Sequence, residues 1–168
     1  MRTTMYAKLT VLTVALLALL SCVPVATAQE EMSKTELQEM YVDFLTEEGY
    51  KPSIDSDGDV VFKKEGRTYF IAVRESDLEY FTIVLPNFWE IENERERLQV
   101  LISADAANAK SKVAKVFTIK DNTWAAIEMF VNDPKDFEDL FARSLRAIDN
   151  SVNNFVEKMK DLNKDSDE

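Results

Sequence analysis

The spacing of apolar residues changes period along this chain, and that change decides which class of fold it can adopt. Leu37, Met40, Tyr41, Phe44 and Leu45 recur at i, i+3, i+4, i+7 and i+8, the stripe of one helix face. Ser33-Lys34-Thr35-Glu36 ahead of them has capping-box spacing, and Gly49 closes the segment. From Asp59 the period falls to two. Asp59–Lys63, Arg67–Arg74 and Leu78–Leu85 are rich in Val, Ile, Phe and Tyr and are separated by "KEG" and "ESD", which predicts a three-strand meander. Both faces of these strands carry apolar residues, so partial cover on each side is expected.

Pro86 is expected to stop the third strand. Asn87-Phe88-Trp89-Glu90 then reads as the cap of a second helix reaching about Asn108, with Ile91, Leu98, Leu101 and Ile102 turned inward. The segments "KVAKVFTI" and "TWAAIEMFV" flank Lys120-Asp121-Asn122, the mark of a tight hairpin. Asp133-Pro134 opens a last helix, whose stripe includes Phe137, Phe141, Leu145, Ile148, Val152 and Phe155. These readings give a single α+β domain over 32–160, in the order α-β-β-β-α-β-β-α. It is expected to be an antiparallel sheet with helices packed on it, followed by a disordered acidic tail over 161–168.

The first segment stands outside that domain. Arg2 and Lys8 precede the apolar run Leu9–Ser21, which is short for a membrane span, and Ala26-Thr27-Ala28 has the small-x-small form of a cleavage site. Residues 1–28 therefore read as a signal peptide cleaved after Ala28, with a periplasmic or secreted product. Two alternatives stay open. One is an uncleaved anchor, and the other is a lipoprotein, because "ALLSC" resembles a lipobox and would place the lipid on Cys22. On either route to export the folded domain holds no cysteine, so packing and not disulfides must stabilise it.

Two of the 20 basic residues lie in the leader and none of the 31 acids does, so the mature chain carries 18 against 31, a net charge of −13. Such a surface repels nucleic acid and anionic lipid, and favours basic partners. The chain has no histidine, which excludes Ser-His-Asp and Cys-His nucleophile pairs and histidine-held metals.

The stretch most like ready-made chemistry is Asp55-Ser56-Asp57-Gly58-Asp59. With Asp55 as the first position of a calcium loop, Val60 falls where the sharp turn needs glycine, and Gly66 where a bidentate glutamate belongs. Asp57-Gly58 instead predicts a hairpin turn from a short strand Ile54–Ser56 into Asp59–Lys63. No metal and no cofactor is expected. Glu128, inside "WAAIEMFV", would be an acid or base if buried, or else faces solvent with Ala126 and Phe130, or pairs with a lysine. "ENERER" (Glu92–Arg97) reads as a solvated helix face. Phe88, Trp89 and Trp124 are large aromatics that either anchor a partner or close the core, and Phe88 and Trp89 are the candidate binding residues.

"DGDVVFKKEGRTYFIAVRESDLEYFTIVLPNFWEIE" (Asp57–Glu92) and "KVAKVFTIKDNTWAAIEMFV" (Lys112–Val131) resemble the YbjN family of bacterial sensory transduction regulators. The resemblance extends over about Met32 to Phe155. It implies a fold like that of type III secretion chaperones, a module that binds protein segments as a monomer or a homodimer, and no catalytic residues. The expectation from the sequence is thus an exported, non-enzymatic, chaperone-like or regulatory protein-binding module with a basic protein or peptide partner. The alternative is a carrier of a small apolar ligand or lipid in the cell envelope, and a carboxylate-based hydrolase ranks behind both.

Overall fold

The structure, a computed structural model, describes residues 32–164. Helix α1 (Lys34–Glu47) starts as the sequence predicts. The Ser33 hydroxyl and backbone N–H both donate to Glu36 Oε2, at 2.6 and 2.8 Å, and hold that carboxyl below its usual range, while Glu36 N donates back to the hydroxyl. Leu37, Tyr41 and Leu45 are its buried face.

Strands β1 (Ser53–Ile54), β2 (Val60–Lys64), β3 (Arg67–Ile71) and β4 (Tyr80–Glu90) follow. Helix α2 spans Glu94–Lys110, strands β5 (Ala114–Ile119) and β6 (Asn122–Phe130) form a hairpin, and one 3-10 turn leads into α3 (Phe137–Lys164). All pairings are antiparallel, in the sheet order β1-β2-β3-β4-β6-β5. The fold is α+β, in the order α-β-β-β-β-α-β-β-α. The added strand is the short one expected before the Asp57-Gly58 turn, lying at Ser53–Ile54 and not at Ile54–Ser56, because Asp55 onward forms the turn.

One core joins Leu37 of α1, Val100 of α2 and Phe155 of α3 to Phe62, Tyr69, Ile83 and Ala125 of the sheet. These sheet residues alternate along their strands, so all three helices lie on one face. On the other face Phe70, Trp124 and Phe117 meet ring to ring, with centroids 6.1 and 6.4 Å apart. Val84 and Ala126 beside them are buried, although no helix among the described residues covers that face. The cover expected on both faces is therefore asymmetric.

Several boundaries differ from expectation. β3 ends at Ile71 and not at Arg74, where the Val73 N–H turns to the Asp59 carboxylate. β4 does not stop at Pro86. It bulges between Leu85 and Trp89, with Asn87 at φ +51°, and continues to Glu90, so proline sits where the ladder is already interrupted. The second helix is capped by Asn93 and not by Asn87. Its buried residues are Val100, Ser103, Ala104 and Ala107, while Leu98, Leu101 and Ile102, expected inside, face solvent; only Ile91, just ahead of the helix, is buried. Small residues let α2 lie close against its neighbours, and the large aliphatic residues are turned away. α3 runs to Lys164, so residues 161–164 of the expected tail are helical; 165–168 lie outside the described residues.

Candidate functional site

The 54–59 loop answers the question its aspartates raise. Asp55 Oδ1 accepts the backbone N–H groups of Asp57 and Asp59 at 2.9 and 3.0 Å, and Asp59 Oδ1 accepts that of Val73 at 2.9 Å. The Asp57 and Gly58 carbonyls accept Lys34 Nζ and Gln38 Nε2 of α1. The carboxylates organise a turn, with Gly58 at φ +88°, and that turn receives α1. Among the described residues no group of three or more His, Cys, Asp or Glu is placed to hold a metal.

Glu128 lies on the helix-free face with Ala126 and Phe130, where Lys115 Nζ stands 2.5 Å from Oε2. Burial pushes its carboxyl up, but bonds from Lys115 and Tyr80 outweigh that and hold it below the usual range. It is a paired carboxylate and not a raised acid. In "ENERER", Arg97 reaches Asp121 of the β5–β6 turn at 2.6 Å and Glu94 at 3.7 Å. Glu96 serves the helix start, accepting Trp89 Nε1 at 2.9 Å and the Glu92 N–H at 2.8 Å.

Phe88 and Trp89 are neighbours in a strand, yet both rings meet Phe155 of α3 edge-on, at 5.2 and 5.6 Å. The β4 bulge makes this possible, since regular alternation would send them to opposite faces. Trp124 is half-buried on the helix-free face, and its indole N–H has no hydrogen-bond partner among the described residues.

An exposed apolar surface lies on α2. Leu98, Leu101 and Ile102 stand at i, i+3 and i+4, exposed by 61%, 49% and 41%, on a helix whose opposite side is already packed. They form one apolar ridge. Sequence periodicity located this stripe but assigned it to the core, because it cannot tell which side of a two-sided helix is covered.

Strand addition has less room. β1 is two residues long, and the free edge of β5 is blocked by the Asn108 side chain, which donates to the Val116 carbonyl at 3.0 Å and accepts its N–H at 2.7 Å. No helix among the described residues is long and apolar enough to cross a membrane, and Cys22 and the leader lie outside them. No protein-family profile, no curated protein and no solved structure matches this chain.

Proposed function

We propose that this chain is an exported, non-enzymatic bacterial binding module, regulatory or chaperone-like, that holds a partner protein along the ridge of α2. The observation that supports this is the exposure of Leu98, Leu101 and Ile102 in one helical register. That spacing suits an amphipathic partner helix, which reads such anchors at i, i+3 and i+4. The excess of 31 acids over 20 basic residues favours a partner with a basic flank. Phe88 and Trp89 spend their rings on Phe155, so in this reading α2 makes the contacts. The leader over 1–28, with lipidation at Cys22 as its alternative, and the resemblance to the YbjN family belong to the same proposal.

A photo-crosslinking residue placed at Leu101 in the full chain, in its native host, tests the reading. A discrete protein adduct is expected there, none from the same residue at the exposed Glu47, and loss of the adduct when Leu98 and Ile102 become aspartate. Absence of an adduct, or the same pattern from both positions, would sink it.

A further inference from the structure

A groove of about 290 Å³ opens between β6 and α3. It arises from unequal strand lengths. β6 runs to Phe130, whereas β5 begins at Ala114 opposite Ile127, so Met129 faces the groove beyond the end of the β5 ladder. Ile127, fully buried, is the floor, and half-buried Met129, Leu140 and Ala147 are the walls.

Lys112 and Arg143 line the same groove and are exposed. Neither makes an ion pair among the described residues, although acids outnumber basic residues in the chain. No carboxylate lines the groove. A mostly apolar slot with two cations and no acid selects a ligand with an apolar body and an anionic head.

We infer that the groove binds a single-chain amphiphile with a carboxylate head, a medium-chain fatty acid. Its volume lies at the lower end of ligand sites, which suits one acyl chain and excludes a two-chain lipid. The lining has too few hydrogen-bonding groups to orient a sugar or nucleotide. Arg143 offers a planar fork to the carboxylate and Lys112 a second charge, while the flexible Met129 side chain adapts to the chain. The site is separate from the α2 ridge and does not depend on it.

Sodium decanoate, kept below its micelle concentration and titrated into the full chain by calorimetry with methyl NMR, tests this. One saturable site per chain is expected, with the Met129 methyl signal shifting. The K112A/R143A double variant should bind about tenfold more weakly or worse. Decyltrimethylammonium, with the same tail and opposite charge, should not bind. Ala147→Phe, which fills the slot, should abolish binding while the variant's circular dichroism stays that of the parent. Three results would overturn the inference: no saturable decanoate site, an affinity unchanged in K112A/R143A, or equal binding of the cationic amphiphile. Tighter binding of a short peptide with an apolar C-terminal residue than of decanoate would also overturn it, assigning the groove to a protein terminus.

Discussion

The phenol of Tyr69, on β3, donates to the carboxylate of Asp149, on α3, at 3.1 Å. Lys64 Nζ and Arg67 Nη1 converge on the same carboxylate at 3.1 and 3.3 Å, so one helical aspartate fastens the β2–β3 hairpin to α3. Asp149→Ala strands the polar end of a residue that is otherwise buried, and is expected to cost about 2 kcal/mol in urea unfolding. Most of that belongs to Tyr69 and the part-buried Lys64, because Arg67 is 43% exposed and its pair is screened by solvent. The Tyr69→Phe/Asp149→Ala double variant should therefore lose less than the sum of the singles. Strict additivity would show that the two groups do not act together.

Alkaline pH should weaken the fold before any backbone chemistry intervenes. Burial pushes the Tyr41 phenol from 10.0 up to about 12. Tyr69 is raised as well, first by burial and then by the Asp149 charge. Folded pKa values above the unfolded ones mean that the folded state holds more protons, so stability falls as pH rises. The contribution is whole below pH 10 and is lost as pH climbs through about 12 for Tyr41. Unfolding free energies measured from pH 9 upward should decline, and Tyr41→Phe should flatten that decline. An identical slope in the variant would count against the assignment.

Gly58 is held at φ +88°, and a Cβ there would come within 2.5 Å of Lys34 Nζ and 2.7 Å of its Cε. Gly66 is also left-handed, at φ +80°, but has open space around it. Gly66→Ala should cost about 1 kcal/mol from backbone strain alone. Gly58→Ala should cost slightly more, because the end of Lys34 must also leave the Asp57 carbonyl and Gln38 must shift by a few tenths of an ångström. Equal losses in thermal melts would mean that α1 gains nothing from this contact.

Asn108→Ala leaves the Val116 N–H and C=O unpaired on an edge strand. A loss of about 1–2 kcal/mol is expected. The freed edge should also make association depend on protein concentration, read by sedimentation. A stable, strictly monodisperse variant would mean that water replaces the amide without penalty.

The two sides of α2 should respond in opposite ways. Val100, fully buried, is expected to cost about 2 kcal/mol when changed to alanine. Leu101→Gln on the ridge should stay within about 0.5 kcal/mol of the parent. A large loss from Leu101→Gln would place it in the core after all.

The elements legible in the sequence were those whose caps and stripes agree. α1 carries both halves of a capping box, and α3 follows Asp133-Pro134 with apolar residues in strict register. The start of α2 was obscured because Asn87 and Asn93 are each followed by a glutamate three residues later. Only the bulge, which takes Pro86 and a left-handed Asn87 into β4, decides between them. The inner face of α2 was hidden for another reason. Ser103, Ala104 and Ala107 pack because they are small, and a pattern of large apolar residues overlooks them. The β6–α3 groove was illegible because it depends on where β5 ends relative to β6, which is set by register and not by composition.

The central ladder has a consequence in time. β2–β3 and β5–β6 are local hairpins, but β4 pairs with β6 across α2 and β5, with Tyr80 opposite Phe130. Closing so long a loop costs chain entropy before any contact offsets it, so this ladder is expected to form last. Kinetic φ-values near zero for Ile83→Val, with higher values in the β5–β6 hairpin, would bear this out; the reverse order would refute it. A chain that collapses into hairpins quickly but joins its two halves slowly stays threadable for longer after synthesis. For a protein proposed to leave the cytoplasm through a narrow translocation channel, that delay is an asset.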